Sequence, residues 1–347
     1  MKMAPIIKEL EKYGNSICVV HTEQHYDSSM SGNILKDLEL KDPDYRLGVM
    51  SGTHAEQTAK IMIEFEKICI QLVPKLVIVA GDVNSTVACA IVASKLHIKV
   101  AHVESGLRSF DKRMPEEINR ILTDHISDLL FTTERSADFN LKNEGIDKSK
   151  IHFVGNCMID SLVYYISRAR KLKPWEKYVS SNDKYVLVTL HRPSNVDRKS
   201  DLANIINFLK EISKSHTVIF PSHPRTLNKI MEFDFSLKDS IKLTEPLPYL
   251  EFLGLLSESA FVLTDSGGVQ EETTFLKIPC ITLRENTERP ITVEKGTNIL
   301  AGINFDNISK DIRDIINGKI KKSEIPDLWD GKAASRIVKV INDFINV

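Results

Sequence analysis

The chain has 347 residues, of which 42% are hydrophobic and 27% charged, with a formal net charge of −1. That is the make-up of an ordinary globular protein, too long for one core and suited to two domains. Near-neutral charge argues against nucleic acid or a membrane surface as partner, no apolar run is long enough to cross a bilayer, and no signal peptide is read at the start. The five cysteines, Cys18, Cys69, Cys89, Cys157 and Cys280, are scattered and mostly set in apolar runs. They read as reduced core residues of a cytoplasmic protein, and no CxxC or HExxH spacing suggests a metal site.

In chain order, Met1 to Tyr13 has helical spacing of apolar residues and is closed by Gly14-Asn15, so a helix is expected first. Strand-like runs follow at Ile17–Val20, Leu76–Ala80, Lys99–His102, Leu129–Thr132 and Ile151–Val154, with helices predicted between most of them, notably Thr53–Leu72 and Ser85–Leu96. Such alternation argues for a parallel sheet covered on both faces. The polar stretch from Arg168 to Asp183, with Pro174, reads as an inter-domain connection. A second alternating series comprises Tyr185–Leu190, Thr217–Phe220, Ile241–Leu243, Ala260–Thr264 and Cys280–Leu283, and Gly331 to Val347 carries the spacing of a closing helix. The expected fold is α/β with two doubly wound, Rossmann-like domains: residues 1–167, a linker over 168–183, residues 184–330, and a closing helix over 331–347.

Ligands of open parallel sheets bind beyond the carboxyl ends of the strands, and here those ends are polar. In the first half the runs are followed by His21-Thr22-Glu23-Gln24-His25, by Gly81-Asp82 and by Val103-Glu104-Ser105-Gly106-Leu107-Arg108. In the second they lead into His191-Arg192-Pro193, Pro221-Ser222-His223-Pro224-Arg225 and Asp265-Ser266-Gly267-Gly268. The last stretch has the form of a strand, a tight turn and a helix start, where free N–H groups and the helix dipole attract an anion and glycines let it approach. Each feature also has a plainer explanation. Ser266 can be an ordinary N-cap, Asp82 can cap a helix starting near Asn84, and Glu104 can be a solvated loop residue. Glu116 and Glu117 fit the acidic first turn of a helix after Pro115, and His191 and His223 can be satisfied core histidines. Four carboxylates and two histidines at corresponding strand ends together favour a site. If the two halves face one another, carboxylates of the first and the histidines, arginines and anion cradle of the second line the cleft.

The set Gly81-Asp82, His102-Val103-Glu104-Ser105-Gly106-Leu107-Arg108, Met114-Pro115-Glu116-Glu117-Ile118-Asn119-Arg120, Leu190-His191-Arg192, Asp265 to Glu272 and Thr287-Glu288-Arg289-Pro290 resembles the non-hydrolysing UDP-N-acetylglucosamine 2-epimerases, in order across nearly the whole chain. The resemblance implies a GT-B architecture, a homodimer without cofactor, and interconversion of UDP-GlcNAc and UDP-ManNAc for surface polysaccharides. It implies elimination of UDP to 2-acetamidoglucal and re-addition, with Asp82, Glu104 and Glu116 as acid/base residues and His191 serving the departing diphosphate. Ser266, Gly267 and Gly268 would hold the diphosphate and Glu272 the ribose, with Arg192, His223 and Arg289 also on the nucleotide. Arg192, His223 and Gln24 are candidates for a second, activating UDP-GlcNAc. The sequence departs from the family in three places. The family's opening strand and Gly-Thr-Arg-Pro-Glu turn are not found, so the first strand of the N-terminal domain is expected to be missing. His191 is followed by Arg192-Pro193-Ser194-Asn195 where the family often has Arg-Glu-Asn, and Arg289-Pro290-Ile291 stands for Arg-Pro-Glu. Alternatives are a glycosyltransferase of the same fold, an impaired UDP-sugar-binding protein lacking its start, and a hydrolysing relative that releases free ManNAc.

Overall fold

The computed structural model describes residues 1–23, 35–180, 183–237, 241–302 and 304–345. The chain forms two compact units, Met1–Ser161 with Asp327–Val347, and Leu162–Pro326. The first boundary runs through the helix Cys157–Lys171, and the segment expected as a linker holds the end of that helix and a short 3-10 turn at Pro174–Lys177.

In the first unit, β1 (Val20–His21) pairs in parallel with β2 (Tyr45–Arg46). A separate parallel sheet has the order β3 (Leu76–Ala80), β4 (Lys99–Ser105), β5 (Leu129–Thr132) and β6 (Ile151–Phe153). β1 starts later than the run Ile17–Val20 suggests, because the Val19 N–H is taken by the Asp44 carboxylate at 2.7 Å, and β2 has no apolar run to announce it. The period-2 alternation of β3 serves two cores. Val77 and Val79 pack with Ile61, Phe65 and Val92 of the helices His54–Leu72 and Asn84–Lys95, while Leu76, Ile78 and Ala80 face the opposite core. That second core holds Ile6 and Leu10 of the first helix, Met3–Lys12, and Ala333, Ile337 and Ile341 of the last, Ala333–Ile345. The closing helix therefore belongs to the N-terminal unit, where Trp329 is buried with its indole N–H on the Thr133 carbonyl at 3.0 Å.

The second unit holds one six-stranded parallel sheet in the order β12 (Asn298–Leu300), β11 (Cys280–Thr282), β10 (Phe261–Thr264), β7 (Tyr185–Thr189), β8 (Thr217–Pro221), β9 (Ile241–Thr244). β7, β8 and β10 are buried on both faces, which explains their continuous apolar runs. The order reverses between β7 and β10, so the crevice outside their carboxyl ends is the topological switch point of this unit. Among the described residues no helix is long and apolar enough to cross a membrane.

Asp160 accepts from the Ala333 and Ala334 N–H groups, at 3.1 and 2.7 Å, capping the last helix from a residue far away in sequence. Asp160→Ala leaves those donors buried without an acceptor and is expected to cost about 1–2 kcal/mol, as loss of a helix cap does. A urea midpoint followed by tryptophan fluorescence checks this, and an unmoved midpoint refutes it.

Candidate functional site

In the first unit the two strand-end carboxylates stand on neighbouring strands. Ala80 pairs with Val103, and Asp82 and Glu104 follow just beyond that rung. The next helix, Asn84–Lys95, has Val83 at its N-cap without a side-chain hydrogen bond. Oδ2 of Asp82 lies 2.5 Å from Nη2 of Arg120, and the Asp82 backbone carbonyl accepts from Asn119 at 2.9 Å. Arg120 and Asn119 lie on the helix Pro115–Ile126, which starts with proline at its first position and Glu116 and Glu117 in its first turn. The two glutamates differ in their surroundings. Glu117 is buried, accepts from the Ser109 and Phe110 N–H groups at 2.9 Å each and meets Arg120 at 2.6 Å, whereas Glu116 is half-buried.

Glu104 is not a solvated loop residue. It is 4% exposed, has a φ of 68° and sits where the β4–β5 register shifts between Val103 and Ser105. A left-handed glutamate in a bulge is conformationally costly and re-aims the side chain, here toward the Lys2 ammonium at 2.7 Å. The same ammonium lies 3.0 Å from where a Cβ on Gly81 would sit, so Lys2 stands beside both carboxylate-bearing turns.

In the second unit the site grows from the switch point. Asp265 ends β10 fully buried and accepts from the His191 and Arg192 N–H groups, at 3.0 and 2.9 Å, and from the Asn195 amide at 2.9 Å. Its other oxygen meets His191 Nδ1 at 2.8 Å. Burial works against the Asp265 charge, but the His191 ring and these N–H donors outweigh it and hold the carboxyl below its usual range. His191 is not a core histidine, since its side chain is 39% exposed, and Nδ1 is the ring nitrogen that Asp265 engages. His223 is exposed, accepts from the Arg225 N–H to start the helix Pro224–Glu232, and its ring centroid lies 5.9 Å from that of His191.

Ser266 is the N-cap of the helix Gly267–Leu276 by position, yet its side chain makes no capping bond there. A Cβ on Gly267 would fall 2.4 Å from Nη1 of Arg289, so glycine is required by a guanidinium pressed against the helix start. That places a fixed cation at an anion-attracting helix N-terminus. Arg289 is held by Glu271 at 2.7 Å and Glu288 at 2.5 Å, and Arg284 meets the other Glu288 oxygen at 2.7 Å. Arg192 approaches Glu288 at 3.8 Å. Glu272 is 3% exposed and meets the Tyr249 hydroxyl at 3.3 Å. Gly268 is half-buried in the same first turn, and Gln24 lies outside the described residues.

The arrangement thus assembles Asp82 with Glu104, and separately His191, His223, Arg192, Ser266, Gly267 and Arg289. Sequence reasoning assigned no role to Asp265, Arg120, Lys2 or Tyr249. Asp265 carried a signal, the abrupt end of an apolar run; the other three meet partners far away in sequence.

A model of the UDP-N-acetylglucosamine 2-epimerase family matches residues 8–342. The chain is 46% identical over 350 residues to the UDP-N-acetylglucosamine 2-epimerase of Methanocaldococcus jannaschii, covering 98% of this chain and 95% of that protein. It is 42% identical over 335 residues to the UDP-2,3-diacetamido-2,3-dideoxy-D-glucuronate 2-epimerase of Pseudomonas aeruginosa, covering 96% and 93%. The crystal structure of the M. jannaschii UDP-GlcNAc 2-epimerase in complex with UDP-GlcNAc and UDP superposes with a TM-score of 0.92 at 46% identity, covering 99% of this chain and 96% of that one. The fold is of the same GT-B type.

Burial lifts the Glu272 carboxyl to about 8, with Glu271 adding to the rise and the Tyr249 bond opposing it. Its pKa is then higher in the folded than in the unfolded chain, where about 4.5 applies, so the folded state holds the extra proton between these values. Stability from this group is complete below about 4.5 and declines as pH rises toward about 8. Glu272→Gln is expected to flatten that part of the stability profile, read as thermal midpoints across the range; an unchanged slope refutes the assignment.

Proposed function

The chain belongs to the UDP-N-acetylglucosamine 2-epimerase family, and on that premise we propose that it interconverts UDP-GlcNAc and UDP-ManNAc, supplying surface polysaccharide synthesis. The observation that carries the chemistry is the pair Asp82 and Glu104 just past the paired residues Ala80 and Val103. Inversion at C2 needs a proton taken from one face and returned to the other, which calls for more than one acid/base group.

The C2 hydrogen is not next to a carbonyl carbon, so its removal is coupled to loss of a leaving group. A carboxylate takes the C2 proton, the C1–O bond breaks with its electron pair passing to the diphosphate oxygen, and a C1=C2 bond forms, giving 2-acetamidoglucal and UDP. Re-addition of the diphosphate to C1 with proton delivery to the opposite face of C2 completes the inversion, with no net change of oxidation state. Asp82, Glu104 and Glu116 are assigned to the proton transfers. His191, oriented through Nδ1 by Asp265, is assigned to the developing negative charge on the departing diphosphate. Ser266, Gly267, Gly268 and Arg289 hold that diphosphate at the helix N-terminus, where UDP is retained while it is cleaved from the sugar. Glu272, kept protonated at neutral pH, can both donate to and accept from ribose hydroxyls. Arg192 and His223 complete the nucleotide side.

A diacetamido-glucuronate substrate is the second reading, favoured by the Pseudomonas relative. One experiment tests both. Incubated with the enzyme in heavy water, UDP-GlcNAc gains deuterium at C2 and equilibrates with UDP-ManNAc without an acceptor. Exchange only with the diacetamido-glucuronate nucleotide moves the assignment to that sugar, and transfer to an acceptor without exchange refutes the epimerase.

The protein is further proposed to be a homodimer. Ile63 and Ile70, seven residues apart on one face of the helix His54–Leu72, are exposed apolar side chains that an interface would cover. Sedimentation velocity is expected to show a dimer that Ile70→Glu converts to monomer; a monomeric parent protein refutes it.

A further inference from the structure

The proposed acid/base residues Asp82 and Glu104 hang from turns in the left-handed region, with φ of 73° at Gly81, 68° at Glu104 and 77° at Gly106. The last backbone rung between them is the Gly81 N–H on the Val103 carbonyl at 3.0 Å. Past that rung no ladder aligns the two turns, yet a side-chain pair does. His102, fully buried on β4, places Nε2 2.8 Å from the Gly81 carbonyl and Nδ1 2.7 Å from Oδ1 of Asp124. The other Asp124 oxygen accepts from the Gly106 N–H at 3.1 Å and from Arg108 at 2.7 Å. Arg108 is clamped by Glu144 through two bonds of 2.7 Å. The Gly81 carbonyl and the Asp124 carboxylate are both acceptors, and the imidazole bridges them. Burial opposes the Asp124 charge, and His102 and Arg108 outweigh it, holding that carboxyl below its usual range.

We infer that the His102–Asp124 pair is a cross-brace that positions both reacting carboxylates, running from the Gly81 carbonyl through the imidazole and Asp124 to the Gly106 N–H. Neither residue touches the reacting atoms; His102 sets the turn that carries Asp82, and Asp124 sets the turn that carries Glu104. The brace is held to its geometry because every polar atom in the chain of contacts is buried and an unmade bond there costs its full desolvation. A side chain aimed wrongly by about 1 Å loses on the order of 100-fold in rate, so the brace acts on turnover rather than on nucleotide affinity. This inference rests on the reading of Asp82 and Glu104 as acid/base residues.

The test uses His102→Gln, which keeps one donor arm, and Asp124→Asn, which keeps the shape should the first variant fold poorly. Amide hydrogen exchange is expected to quicken by about ten-fold or more in both segments 81–84 and 104–107 in either variant, with Tyr185–Thr189 of the other unit unchanged. With UDP-GlcNAc, kcat is expected to fall by about 10- to 100-fold at unchanged KM. In a background carrying both Asp82→Asn and Glu104→Gln, His102→Gln is expected to add less than about two-fold, because its effect passes through those two carboxylates. Loosening of one turn only or of neither, a rise in KM in place of the fall in kcat, or fully multiplicative losses overturns the brace. If the parent protein itself shows no C2 exchange, the epimerase reading fails, and the hydrogen-exchange result alone decides the brace.

Discussion

Asp265 must stay ionised while fully buried, and the second unit is arranged to let it. Its carboxylate gathers two backbone N–H groups from the end of β7, the Asn195 amide and the His191 ring. Asn195 also donates to the Leu283 carbonyl, so the loops after β7, β10 and β11 are tied at one point. Because Asp265 directly precedes Ser266 and Gly267, fixing it fixes the start of the helix Gly267–Leu276. The crevice that strand order leaves at a switch point becomes, through one buried charge, a set of oriented donors.

The same device recurs wherever this protein needs a side chain aimed rather than merely buried. Arg289 beneath Gly267 is gripped by Glu271 and Glu288, and Arg120 bridges Asp82 and Glu117. Buried ion pairs of this kind contribute little net stability, since desolvation offsets most of their attraction, but breaking one leaves an uncompensated charge. Their effect is to restrict geometry. Gly267 has no room for a side chain for that reason.

Much of the architecture was legible because parallel strands buried on both faces must be continuous apolar runs, and these were read within a residue or two. The exceptions were β1, which forms later than the run Ile17–Val20, β4, which runs three residues past His102, and the short β2 and β12, which were not read as strands. Strand-end residues were legible too, since Gly81-Asp82, Val103-Glu104 and Asp265 to Gly268 interrupt apolar runs abruptly. What separates the plainer explanations from the site is contacts: Asp82 meets Arg120, and Glu104 is buried on Lys2.

What the sequence determined by itself was periodicity: which segments are strands, which are helices, and where polar residues break in at the carboxyl ends, because those depend on neighbours a few positions apart. Its motifs likewise carried the family resemblance. Which of two adjacent glutamates is locked away was decided only in three dimensions, by backbone donors at Ser109 and Phe110 that claim Glu117 and not Glu116. So were the capping of the last helix by Asp160 and the bracing of two turns by His102 and Asp124. The last two depend on partners 18 to 174 residues apart, and side-chain hydrogen bonds of that range leave no pattern in the chain until packing brings the groups together.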